Sequence, residues 1–80
     1  MSAIITLRPA GRDINLVAPN GRGEDIIERI AFPQAPDELI ALIRRCLRIR
    51  QLAETYTATG MTINQAVRRA AIETWEAGPQ

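Results

Sequence analysis

Phe32-Pro33-Gln34-Ala35-Pro36-Asp37-Glu38-Leu39 is the stretch that divides this chain. Before it, apolar residues alternate with polar ones. After it they recur every three or four positions, so the periodicity changes from that of strands to that of helices. The two prolines end the preceding strand. Pro36 is preset for a first helical turn, and Asp37 and Glu38 face the positive end of the helix dipole.

Upstream, residues 25–32 read as a third strand, with Ile26, Ile30 and Phe32 on one face and Ile27, Arg29 and Ala31 on the other. Glu28 interrupts the apolar side. Pro19-Asn20-Gly21-Arg22-Gly23 marks a tight turn, since Asn-Gly tolerates positive φ angles. Asp13-Ile14-Asn15-Leu16-Val17 alternates as a second strand, and Pro9-Ala10-Gly11-Arg12 joins it to a first strand at Ile4-Ile5-Thr6-Leu7. The strands together occupy about residues 3–32.

Downstream, a first helix is predicted over about residues 36–57. Leu39, Leu42, Ile43, Cys46, Ile49, Ala53 and Tyr56 step by threes and fours, and Ile40 and Leu47 widen the face. The apolar arc spans about 200°, twice the stripe a one-sided helix needs. Such a helix must be covered on two sides, either by lying between the sheet and the second helix or by meeting a second copy of the chain. Gly60 suits a left-handed cap.

The second helix is predicted over about residues 62–77. Thr62 and Gln65 form a capping box, Met61 staples against Ala66, and Gly78-Pro79 stops the helix. Its buried stripe is Ile63, Ala66, Val67, Ala70, Ala71 and Thr74 or Trp75. The short connection makes the helices antiparallel. The expected fold is a single α+β domain over residues 1–80, a three-stranded antiparallel sheet followed by an antiparallel helix hairpin (βββαα).

Composition excludes several classes of function. A chain of 80 residues has marginal stability on its own, and with one cysteine and no histidine it can form neither an internal disulfide nor a usual zinc site. No metal or other cofactor is expected, and self-association is the stabilising device left, so a homo-oligomer is expected. The lone thiol and the lack of a leader-like or membrane-spanning run predict a cytoplasmic protein with no membrane partner. Ten arginines against nine carboxylates give a net charge of +1, far from a strongly basic nucleic-acid binder. Every cation is arginine, a bias first ascribed to a GC-rich genome and second to selection for bidentate pairing.

Catalytic machinery is missing from the sequence, so no enzyme is expected. Ser2 lies at a terminus, and Cys46 sits on the apolar face of the first helix with no histidine to activate it. Glu24, Asp25 and Glu28 form the only acidic cluster and read as solvated surface at a strand edge. Gly21-Arg22-Gly23 is too short for a phosphate-cradling loop, but leaves Arg22 on an exposed turn suited to contact with a partner.

The stretch Arg44-Arg45-Cys46-Leu47-Arg48-Ile49-Arg50 is the most suggestive. Arg44, Arg45 and Arg48 fall within about 100° of arc on the polar side of the first helix. An antiparallel hairpin sets Arg50 level with Arg69, and Arg44 and Arg45 level with Thr74 and Trp75. With Arg68, up to six arginines and one tryptophan would gather on one side of the molecule, a surface suited to phosphates or to an acidic protein patch. The alternative is a solvated face in which Arg69 pairs with Glu73 and Arg50 with Glu54 on their own helices.

Gly60-Met61-Thr62-Ile63-Asn64-Gln65-Ala66-Val67-Arg68-Arg69-Ala70-Ala71-Ile72 resembles the second helix of ribbon–helix–helix DNA-binding proteins. The resemblance implies that Thr62 grips a DNA phosphate and that Val67 and Ala70 pack a dimer core. The overall plan is also similar to small accessory proteins of phages and mobile elements. Two expectations follow. One is an oligomeric inhibitor or adaptor that binds a host or phage protein through Arg44, Arg45, Arg48, Arg50, Arg68, Arg69, Trp75 and Arg22. The other is a dimeric DNA- or nucleotide-binding regulator using Thr62 and the arginines.

Overall fold

The computed structural model describes residues 4–75, and the predicted Gly78-Pro79 stop lies outside them. Five elements follow in the expected order: β1 (Thr6–Ala10), β2 (Asp13–Pro19), β3 (Glu24–Ala31), α1 (Pro36–Ala58) and α2 (Ile63–Glu73). The sheet is antiparallel in the order β1-β2-β3. β1 runs later than predicted and includes Pro9, which is tolerated because β1 is an edge strand. The turn narrows to Gly11-Arg12 between the paired Ala10 and Asp13. Gly11 has φ 64°, as the first position of a glycine-led hairpin turn requires.

β3 departs from the simple alternation predicted for it. Leu16 pairs with Glu28 and Val17 with Ile26, so Ile27 is an extra residue in β3 and the register shifts there. Such a bulge breaks the two-residue alternation of faces. Ile26 is therefore 59% exposed and not on the face of Ile30, while Ile27 and Ile30 both pack against the core. Phe32, also predicted on that face, is half exposed.

α1 starts at Pro36 without a side-chain cap and ends in a Schellman motif. Met61 N donates to Tyr56 O (3.2 Å) and Gly60 N to Thr57 O (3.1 Å), with Gly60 at φ 106°. Met61 and Tyr56, the residues such a motif brings together, both pack against the core. The capping box of α2 forms as predicted: Gln65 N donates to Thr62 Oγ1 (3.2 Å) and Thr62 N to Gln65 Oε1 (3.4 Å). α2 ends at Glu73, short of the predicted 77. The Thr74 hydroxyl donates to Ala70 O (2.9 Å), a local bond that competes with further helix.

The core comprises Leu16 and Ala18 of β2, Ile49 and Ala53 of α1, and Ala66, Val67, Ala70 and Ala71 of α2. The alanines allow close helix approach. α2, not α1, lies against β2 and β3, which rules out the arrangement with α1 between sheet and α2. Leu39 and Ile43, predicted in the buried arc, are 48% and 50% exposed, and α1 buries fully only Ile49 and Ala53. α2 has 11 residues against 23 in α1, so the first half of α1 runs beyond it.

Candidate binding groove

Arg45 joins three elements. Its guanidinium donates to both carboxylate oxygens of Glu28 on β3 (2.6 and 2.7 Å), to Ala71 O (3.0 Å) and to Thr74 Oγ1 (3.3 Å) at the end of α2. It also lies over the Trp75 ring, 5.6 Å from the centroid. The Arg45 and Glu28 side chains are only 18% and 16% exposed. Glu28 pairs with the buried Leu16 and shares the helix-facing side of β3 with Ile30. The acidic cluster is thus not the solvated edge predicted: Glu28 is an internal counter-ion, Asp25 accepts from Asn20 (2.7 Å) and Asn64 (2.9 Å), and Glu24 accepts twice from Arg8 (2.8 and 2.9 Å). The hydrogen bond from Arg8 holds the Glu24 carboxyl below the usual range.

Around Arg45 opens a groove of about 640 Å³ between the first half of α1, the end of β3 and the end of α2. Ile30, Pro33, Ala41 and Leu42 give it an apolar floor, and Arg44, Arg48 and Trp75 stand on its walls. Arg44 and Arg48 form no ion pair among the described residues. Of the groove's carboxylates, Glu73 pairs with Arg69 (3.6 Å) and accepts the Tyr56 hydroxyl, which leaves Glu38 against two cations. Trp75 is 58% exposed. The groove therefore presents two cations, an indole face and an apolar floor.

The other predicted site residues are elsewhere or already paired. Arg50 pairs with Glu54 (3.8 Å), and Arg69 lies 4.9 Å from the Tyr56 ring centroid besides pairing with Glu73, so the within-helix pairing offered as the alternative does form. Arg68 bonds Asn64 (2.7 Å), approaches Asp25 (3.6 Å) and lines a separate recess of about 360 Å³ beside Ile72 and Trp75. Arg22 is exposed on the β2–β3 turn and does not line the groove. Three of the eight predicted arginine and tryptophan positions, Arg44, Arg48 and Trp75, thus share one open surface, with Arg45 as its internal support.

Thr62 acts as the α2 cap. Val67 and Ala70, which the family resemblance assigns to a dimer core, are fully buried within this chain. Burial pushes the Cys46 thiol up, against the opposing field of Arg45, so it stays protonated and unreactive. Among the described residues no acidic, cysteine or histidine group is arranged to hold a metal, and no helix is long and apolar enough to cross a membrane.

Sequence reasoning missed the internal role of Glu28 and the floor residues Ile30 and Pro33. The signal for Glu28 was its break in the alternation of β3. No family model, curated protein or solved structure matches this chain.

Proposed function

We propose that this chain is a non-enzymatic adaptor or inhibitor that captures an acidic segment of another protein in the Arg44–Arg48–Trp75 groove. The observation that carries this reading is the meeting of two arginines that form no ion pair among the described residues and a half-exposed indole over an apolar floor. Arginine forks bind carboxylates in pairs, and an aromatic beside them anchors an apolar side chain of the same segment.

Magnitude favours protein over nucleic acid. The groove's two cations without an ion pair among the described residues neutralise about two phosphates, which gives a salt slope near 2 and little duplex affinity at physiological salt.

Trp75 is the only tryptophan, so its emission reports groove occupancy directly. Titration with a degenerate library of acidic peptides, each carrying one aromatic or leucine, is expected to shift that emission. The Arg44→Glu, Arg48→Glu double variant should lose the shift while keeping its circular dichroism. No response from any library pool, with the fold intact, refutes the proposal. Binding of a DNA duplex or nucleotide instead, weakening steeply with salt, supports the regulator reading.

A further inference from the structure

The groove carries its charges in order along α1. Glu38, Arg44 and Arg48 all line it, and at 1.5 Å per residue Glu38 lies about 9 Å before Arg44 and about 15 Å before Arg48. Trp75 stands at the cationic end, under Arg45, while Glu38 meets the β3–α1 connection, its Oε2 3.5 Å from the Gln34 N–H. Glu38 is exposed and forms no ion pair among the described residues. Asp37 and Glu38 both complement the α1 dipole, but only Glu38 lines the groove. In about 0.15 M salt the field of an exposed charge decays over about 8 Å. The carboxylate and the arginines are further apart than that, so each end of the groove keeps its own sign.

We infer that the segment bound here is of mixed charge, with two carboxylates on Arg44 and Arg48 and a basic side chain on Glu38, which sets the direction in which the segment lies. This rests on the groove being the docking site proposed above and adds the charge order of its partner. Arg44 and Arg48 are about 6 Å apart along the helix, close to the separation of side chains two residues apart in an extended chain rising about 3.3 Å per residue. The 9 Å from Arg44 to Glu38 corresponds to about three such residues. The occupant therefore follows the pattern basic-x-x-acidic-x-acidic, or the same pattern reversed. Its single net negative charge matches the groove, where two cations and one carboxylate sum to one positive charge once Arg45 is paired with Glu28 and Glu73 with Arg69. A third carboxylate in place of the base would meet Glu38 with like charge, so Glu38 refuses segments that are acidic throughout.

Six end-capped peptides test this by titration against Trp75 emission in about 0.15 M salt. They carry lysine, alanine or glutamate at the first position of the pattern, with glutamates at its two acidic positions and one leucine between, and each is made in both chain directions. In one direction affinity should fall in the order lysine, alanine, glutamate, by about two- to fivefold per step, the worth of an exposed ion pair. Bulk attraction to the arginines predicts the opposite order. Glu38→Gln should keep its circular dichroism and bind the lysine and alanine peptides alike. Glu54→Gln removes the same charge from α1 outside the groove and should preserve the order. If the alanine peptide binds and lysine gives no gain in either direction, or if Glu54→Gln abolishes the gain as fully as Glu38→Gln does, the inference falls and the groove stands. If none of the six moves the emission while a pool of the acidic library does, the charge order is wrong and again only the inference falls. Silence from the six and from every pool refutes the groove itself, and the inference with it.

Discussion

Replacing Arg45 by methionine removes the contact on which the groove is built. The variant loses both bonds to Glu28, the donation to Ala71 O and Thr74, and the stacking on Trp75, and it leaves the Glu28 carboxylate under the helices without that cation. Breaking a fully buried pair from one side costs about 3–5 kcal/mol. With both side chains keeping a little solvent access, roughly 3 kcal/mol is the better figure here. A domain of this length has about 4–12 kcal/mol of total stability, so the loss is a large share of it. The thermal midpoint should fall by about 12–24 °C, and the Trp75 emission of the native state should move to the red as the indole loses its support. Glu28→Met takes the carboxylate from beside Arg45 and should cost a similar amount. The Arg45→Met, Glu28→Met double variant should recover most of the loss, because an apolar pair of similar volume avoids the desolvation that either lone charge suffers. Urea titrations of the four proteins close the cycle. A single-variant cost below about 1 kcal/mol, or two costs that simply add, would refute a coupled pair at this site.

Gly60→Ala should lower stability by about 1 kcal/mol, since φ 106° disfavours any side chain; open space around the Cα means that the cost is conformational and not steric, and the thermal midpoint should drop by about 4–8 °C. Thr62→Ala should cost about 1 kcal/mol by removing the capping box, while Thr62→Ser should keep most of it, as urea unfolding will show. Tyr56, the only tyrosine, titrates above its ordinary range because its hydroxyl donates to Glu73 and only the protonated phenol can do so. That bond contributes its full stability below the ordinary tyrosine pKa of about 10 and loses it as pH rises through the higher folded value. Phenolate absorbance should therefore show a raised midpoint that Glu73→Gln moves down.

The order of elements, the turn at Asn20-Gly21, the start of α1 at Pro36 and the α2 capping box were legible in the sequence because each rests on a local preference of the residues concerned. What the sequence did not display is relational. The inserted Ile27 depends on how β3 registers with β2, and it decides that Ile26 leaves the face that Glu28 and Ile30 share. Arg45 was legible as a cation level with Thr74 and Trp75, but its neutralisation required knowing where Glu28 points. Arg50 and Arg69 could be read either way from spacing alone, and the pairs formed are the within-helix ones.

The groove and an apolar stripe on α1 have one structural cause, the unequal length of the two helices. At 1.5 Å per residue α1 is about 34 Å long and α2 about 16 Å. Their shared length is the stretch where Ile49 and Ala53 meet Ala66 and Ala70, and there the core is complete. Ahead of it α1 has no helical neighbour. The sheet reaches this part of α1 only from one side, by way of Arg45 and Glu28, and the space between is the groove. The opposite side carries Leu39, Ile43 and Leu47 into solvent. Half exposed, these side chains contribute less to folding than leucine and isoleucine of the core do, and they leave an apolar face on the overhang. The two uncovered sides differ in chemistry, one cationic and aromatic, the other apolar. The acidic segment proposed above therefore belongs on the first of them, where the cations are.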